Sequence, residues 1–279
     1  MILLLLPAGL LVAALLAAPL IYLLSFSVHQ SLPGRMALQP GLTLLNYSRI
    51  LTDSYYLGVT VRTLGLSLSA TVICALLGFP MAYFLWRAPA RRKGPLTLLV
   101  VAPLLISIVV RSYGWMIILG DSGLLNSALR AVGAIDAPLE IMFTSTAVLI
   151  GLVHVQFPFM VLSILAGLER IDTDLVDAAV TLGAHRGRAI MEIVLPLAVP
   201  GIVGGVTLVF SLCMTAFVTP TLMGGSGSRV LTTLIYSQFI VVFDWPLGAA
   251  LAALLLVLCL AATFGIIRLT AGSVRRAGA

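Results

Sequence analysis

Charge is what this chain has least of. Asp, Glu, Lys and Arg make up only 9% of its 279 residues, against roughly 25% in a soluble domain. A surface facing water cannot be built from so few, so most of the chain must face lipid or other lipid-embedded helices. Lysine occurs once, as Lys93 between Arg92 and Gly94, so the phosphate-cradling pattern G-x-x-x-x-G-K-[ST] is absent. Cysteine occurs three times, as Cys74, Cys213 and Cys259, each inside an apolar run. These read as small buried hydrophobes, neither disulfide partners nor metal ligands, and no Cys/His cluster has zinc spacing. The ten carboxylates all fall in loops or at the ends of apolar runs. A proton-coupled carrier commonly places an ionisable relay at mid-membrane, so their distribution counts against secondary transport. No Ser–His–Asp or paired-carboxylate arrangement marks an enzyme.

Hydrophobic residues are what the chain has instead: 61% of the total, with a mean hydropathy of +1.16. They gather in runs of twenty residues or more, the length a helix needs to cross the hydrocarbon core. A transmembrane barrel would show segments of about ten residues with alternating polarity. Six spans are expected, at about 2–26, 58–86, 95–119, 141–168, 199–220 and 246–267. The chain is thus predicted to be an all-α, six-span membrane protein forming a single domain over 1–279. The first run has no basic leader and exceeds the 7–15 residue core of a signal peptide, so a retained span is expected.

Ten of the sixteen basic residues fall on one side of these spans: Arg87, Arg91, Arg92 and Lys93; Arg170, Arg186 and Arg188; and Arg268, Arg275 and Arg276. Arg35, Arg49, Arg130 and Arg229 fall on the other, while Arg62 and Arg111 lie within or near spans. The excess of basic residues predicts that the first side, with both termini, is cytoplasmic. The net charge of +6 then reflects loop arginines rather than a nucleic-acid site.

The loop after the fourth span, 169–198, is too patterned to be a linker. Leu175, Ala178, Ala179 and Leu182 recur at i, i+3, i+4 and i+7, the spacing of one helix face. Asp172 and Asp174 sit at its start, where carboxylates suit the helix dipole. Gly183 permits a sharp turn, a second short helix follows, and Pro196 leads into span five. A helix–turn–helix with small residues on one face is expected to project from the membrane.

The stretch "DAAVTLGAHRGRAIMEIVLP" closely resembles the EAA signature of ABC importer permeases. Asp177, Ala178, Ala179, Gly183, Ile193, Leu195 and Pro196 stand at the motif's positions, with Ala184 beside the glycine. Asp177 stands where the family usually has glutamate, one methylene longer. The resemblance implies the type I ABC importer permease fold, a loop that inserts into a nucleotide-binding subunit, and four kinds of partner. These are a second, similar permease, two ATPase subunits that use ATP and magnesium, an extracytoplasmic substrate-binding protein, and the bilayer of the bacterial inner membrane. It implies no cofactor on this chain. "RSYGWMIILGDSGLLNSAL", "LGFPMAYF", "FPFMVLSILAGLERID" and "FVTPTLMGG" are similar to the spermidine/putrescine branch, which implies a polyamine cargo. Related stretches occur in permeases for γ-aminobutyrate, opines, 2-aminoethylphosphonate or ferric iron.

Several polar residues are candidates for the path. His154 and Gln156, near the middle of span four before Pro158, suit either an interhelical hydrogen bond or contact with cargo. Tyr113 and Trp115 offer π faces to an alkylammonium, or anchor a helix end at the interface. Arg111 is expected to pair with Asp121 or Glu140, or to hold a loop. Asp121, Asp136, Glu140 and Asp244 could concentrate a cation or dock a binding protein. The glycine-rich segment 219–228, with Gly224 and Gly225, is expected to be a flexible external gate. Pro80 and Pro158 each remove a backbone donor inside a span and are expected to bend it.

Overall fold

A computed structural model describes residues 2–31 and 40–277, with side chains over 11–31, 40–268 and 270. Arg35 lies outside the described residues, as do the side chains of Arg275 and Arg276. Thirteen α-helices follow in chain order among the described residues. They are α1 Ile2–Ser27, α2 Leu45–Thr52, α3 Ser54–Arg87, α4 Ala90–Val101, α5 Ile108–Leu119, α6 Leu124–Ala131, α7 Ser145–Leu168 and α8 Asp174–Thr181. After these come α9 Arg186–Ala189, α10 Leu195–Met214, α11 Val218–Met223, α12 Leu231–Tyr236 and α13 Trp245–Ala277.

Five helical stretches are long and apolar enough to cross a membrane: 54–87, 108–131, 145–168, 186–214 and 245–268. With the 26-residue α1 they account for the six expected spans. Three details differ from expectation. The predicted span 95–119 is two helices, because α4 ends in a short 3-10 turn, Ala102–Leu105, and Ser107 restarts the chain by accepting the Val109 N–H as a cap. Pro103 has no N–H to continue the ladder. Span five is longer at its start. The expected second short helix, α9, runs through a π-turn at Ile190–Val194 into α10, so the helical run begins at 186 rather than 199. The widened turn sits where Pro196 cannot donate to the carbonyl of residue 192. Finally, the apolar helix over 231–242 was not expected.

The chain groups into two compact units, Met1–Val61 with Val230–Leu258, and Arg62–Arg229 with Cys259–Ala279. In the first, Ile50, Tyr56, Val59, Leu231, Leu234, Leu247 and Leu251 form a core. Asn46 fastens the end of α1 to α2 by donating to the carbonyls of Ser27 (3.1 Å) and His29 (2.7 Å).

The second unit is built around α7 and α10. Their approach depends on small residues, as is usual where lipid removes the hydrophobic drive for helix association. A Cβ on Gly201 would lie 2.9 Å from the Gly167 Cα and 3.0 Å from the Ser163 carbonyl, and one on Gly167 would lie 2.8 Å from the Gly201 Cα. Ser163 Oγ donates to the Gly201 carbonyl at 3.1 Å, so its hydroxyl is satisfied inside the contact. Both helices run unbroken through their internal prolines, Pro158 and Pro200, and α3 runs through Pro80.

Candidate functional site

The loop between α7 and α10 carries the strongest sequence signal, and the structure gives it a definite shape. Asp172 Oδ1 accepts the Asp174 N–H at 3.0 Å, starting α8. Gly183 ends it with φ +94°, a conformation that costs glycine nothing. His185 Nδ1 then accepts the Gly187 N–H at 3.2 Å and caps α9. The expected face points the other way from a core stripe. Leu175 and Ala178 are exposed and Leu182 is 88% exposed, whereas Val176 on the opposite side is buried and anchors the helix beside Ile171. Periodicity identifies a face but not its direction. Gly183 is also exposed, and Ala179 and Ala184 are half-buried, so small residues and two leucines are displayed together outside any span.

The loop is tied to the rest of its unit by a residue that the sequence offered only as one arginine among many. Arg87, the last residue of α3, donates through Nη2 to Asp177 Oδ1 at 2.8 Å and through Nη1 to the Thr173 carbonyl at 3.3 Å. Its guanidinium lies 6.0 Å from the ring centre of buried Trp86. Lys93 and Glu169 form a second ion pair at 2.8 Å, beside a cavity of about 790 Å³ between α4 and α7. The basic loop after α3 and the loop after α7 therefore meet at one end of the helices, as expected of loops on one side of a membrane. The bond from Arg87 holds the Asp177 carboxyl below its usual range. A depressed carboxyl pKa contributes stability above the unfolded value of 3.8 that is lost only as pH falls through the lower folded value. The tie accordingly persists through mild acid. Asp177→Arg is expected to lower transport several-fold and the Arg87→Asp, Asp177→Arg exchange to recover part of it. Chain stability should hardly change, because the pair is exposed. Uptake assays on Asp177→Arg and on the exchange check this.

At the other end of the second unit, Asp121 and Glu140 share a cavity of about 260 Å³ with Met116, Gly120, Met142 and Phe143. Asn126 closes the loop behind it, donating to the carbonyls of Gly120 (3.0 Å) and Leu139 (3.1 Å) and accepting the Leu139 N–H (2.8 Å). Phe143 adopts φ +61°, an unusual conformation for an aromatic residue, and its side chain is exposed.

In the segment 219–228, residues 219–223 belong to α11 and 226–228 form a 3-10 turn, with Gly224 and Gly225 extended between them. Thr219, Met223 and Ser228 are buried, and the Phe143 N–H donates to the Met223 carbonyl at 3.1 Å. The Gly225 N–H donates to Ser228 Oγ at 2.6 Å. A Cβ at Gly225 would meet the Phe143 carbonyl at 2.5 Å and one at Gly224 the Pro220 carbonyl at 2.5 Å. These glycines serve close backbone packing, so alanine there displaces neighbours rather than stiffening a hinge. Asp244, in the first unit, caps α13 by accepting from the Leu247 N–H (3.2 Å) and from Ser31 Oγ (3.0 Å).

Between the two ends lies an apolar cavity of about 740 Å³. Pro80, Met81 and Phe84 of α3, Trp115 of α5, and His154 and Phe157 of α7 are among its walls. Trp115 and His154 meet edge to face, 5.5 Å between ring centres, while Tyr113, two residues along α5, is exposed and lies on another face. His154 Nδ1 and Gln156 Oε1 are buried without a hydrogen-bond partner, so these atoms do not make the interhelical bond considered for them. Arg111 does not pair with Asp121 or Glu140. The ion pairs among the described residues are Arg87–Asp177, Lys93–Glu169 and Arg188–Glu192, and Arg111 Nε and Nη1 are buried without a partner.

The second unit thus carries an exposed, ion-paired loop, a small cavity lined by Asp121 and Glu140 and an apolar cavity walled by α3, α5 and α7. Comparison with known proteins identifies the family. Residues 77–276 match the family described as binding-protein-dependent transport system inner membrane component. The chain is 40% identical over 208 residues to the spermidine/putrescine transport system permease protein PotB of Escherichia coli strain K12, covering 75% of each chain. It is 35% identical over 217 residues to the protein of that name from Haemophilus influenzae, covering 78% of this chain and 76% of the relative. In fold it is similar to a chain of a bacterial alginate ABC transporter solved with an alginate-pentasaccharide-bound periplasmic protein, with a TM-score of 0.77, 19% identity, and coverage of 97% and 93%. With this match spanning most of the chain and the signature loop displayed outside the spans, the chain belongs to the family of inner membrane components of binding-protein-dependent transport systems.

Proposed function

We propose that this chain is a permease subunit of an ATP-driven importer of polyamines such as putrescine and spermidine. The observation that carries the cargo is the likeness to spermidine/putrescine permeases at 40% identity over three quarters of the chain. The mouth lined by Asp121, Glu140 and Phe143 supports it, since carboxylates and an aromatic face both attract an ammonium. The permease domain occupies the whole of 1–279, with both termini and the loops at 87–93 and 169–198 in the cytoplasm. ATP and magnesium are used by two separate ATPase subunits, because this chain has no P-loop; a second permease and an extracytoplasmic binding protein complete the machine. ATP-driven closure of the ATPases moves α8, and three connections pass that motion on. Sequence continuity carries it to α7 and to α9–α10, and the Arg87 tie carries it to α3.

The deciding experiment is uptake of radiolabelled putrescine and spermidine by cells that carry or lack the intact system. Uptake that requires this chain supports the cargo, and none, with ATPase stimulation by a binding protein loaded with another solute, discards the polyamine. In the same assay the double variant Asp121→Asn, Glu140→Gln is expected to raise the KM for spermidine several-fold, with the larger effect at low ionic strength, where surface charge is least screened. A KM unchanged at low salt removes the mouth from the path.

A further inference from the structure

Basic residues gather where α3 gives way to α4. Arg91, Arg92 and Lys93 are consecutive in the first turn of α4, and Arg170 follows the end of α7. Lys93 Nζ meets Glu169 Oε1 at 2.8 Å, which brings these two helix ends together. Arg91, Arg92 and Arg170 are exposed and take part in none of the ion pairs among the described residues. Positive charge is therefore left over here after Glu169 has been met.

The cavity of about 790 Å³ beside that ion pair changes character along its length. At one end its walls are Ala90, Lys93, Gly94 and Glu169. Val101 lies eight residues on from Lys93 and Leu162 seven back from Glu169, so the two helices carry the cavity about 10–12 Å away from the charges. The walls there are Leu98, Val101, Leu162 and Leu165. Leu98 is 60% exposed and a Cβ on Gly94 would meet nothing within 4 Å, so the groove is left open by this chain. Arg91 stands three residues before Gly94 and so borders the groove. Arg92, a further 100° round the helix, falls on the far side of α4.

We infer that this groove holds an anionic phospholipid, with its phosphate at Arg91 and Lys93 and an acyl chain against Leu98, Val101, Leu162 and Leu165. An inner membrane component always has lipid beside it, whatever its cargo. Basic pockets between membrane helices suit anionic headgroups, and the unmet cations favour these over zwitterionic ones. A free phosphate would satisfy the charged end and leave the apolar walls uncovered. An apolar helix of another chain would cover those walls and leave Arg91 without an anion. A lipid supplies both parts in the order in which the groove presents them, and bound there it bridges α4 and α7.

The test uses the importer purified with its partner subunits in a detergent that strips loosely held lipid. It is titrated with phosphatidylglycerol or phosphatidylcholine, and bound lipid is counted by native mass spectrometry; comparison with each variant isolates this groove from other lipid sites. Phosphatidylglycerol is expected to bind the original importer about tenfold more tightly than phosphatidylcholine. Arg91→Glu should weaken it about tenfold or more. Ala166→Trp, which fills an exposed position in the cavity wall and leaves every charge in place, should weaken it by a similar factor. Arg92→Glu makes the same change of charge on the far side of α4 and should cost less than about threefold. Arg91→Gln carries the test if Arg91→Glu fails to accumulate, with a loss of about fivefold. Equal weakening by Arg91→Glu and Arg92→Glu, with Ala166→Trp without effect, means diffuse attraction to the basic end and overturns the site. Equal affinity for the two lipids overturns it as well. So does cross-linking of a Leu98→Cys importer to a partner chain with no lipid retained, since the groove is then a protein interface.

Discussion

Leu182→Asp is expected to disconnect the permease from its ATPase while leaving the permease itself intact. Leu182 is 88% exposed at the end of α8, with Leu175 and Ala178 exposed on the same face. In the proposed assembly this is the apolar face of α8 that an ATPase subunit would cover. Covering it fully is worth about 2–3 kcal/mol, and an aspartate in its place must also be desolvated. Together these weaken docking by about a hundredfold or more. Because the side chain touches little of its own chain, membrane level and thermal stability should match the original. The measurement is ATPase activity stimulated by loaded binding protein, with the amount of co-purified ATPase beside it. Full stimulation in this variant would show that α8 docks by another face. Leu175→Asp, on the same side but less exposed, should give a smaller loss.

Gly201→Val is expected to have the largest effect on the fold itself. The contact between α7 and α10 is made by backbone against backbone, and the first atom of any side chain at 201 already falls 2.9 Å from the Gly167 Cα and 3.0 Å from the Ser163 carbonyl. Neither can give way as a flexible side chain could. Overpacking a tight contact costs about 1–3 kcal/mol where side chains can shift, and here the helices themselves must separate, with loss of the Ser163–Gly201 hydrogen bond. Expected results are low accumulation in the membrane and a lowered melting temperature in detergent. Gly265→Val is the control, since a Cβ there meets nothing within 4 Å. Equal accumulation of the two variants would mean that the close approach is not needed. The contact also holds together the two helices that flank the loop 169–198.

Much of the protein was legible from its sequence because the membrane imposes simple rules. A stretch that must satisfy its own backbone in lipid becomes a helix, so runs of apolar residues located α1, α3 and α7 to within a few residues, while α10 starts early through α9 and ends at Met214 rather than 220, and α13 continues past the expected 267 to Ala277. The helix–turn–helix between α7 and α10 was legible for a different reason: it carries a local pattern, with an acid at its start and a glycine at its turn. Where two chemistries look alike in one dimension, the sequence does not separate them. Glycines at 224 and 225 suggest freedom, and only the carbonyls of Pro220 and Phe143 pressed against them show that they serve packing. Asp244 looked like the other external acids, yet it spends its oxygen on a helix cap.

Composition and spacing by themselves determined the class, the approximate span count and the helix–turn–helix between α7 and α10, because each follows from local hydrophobicity or from a motif contiguous in the chain. Tertiary structure alone decided that Arg87 reaches across ninety positions to Asp177, that Asp121 and Glu140 share one cavity, and that Arg111 is left without an acceptor. Those outcomes depend on distances between helices, which are set by the packing of small side chains at crossings such as Gly167–Gly201 and have no signature in the order of residues along one helix.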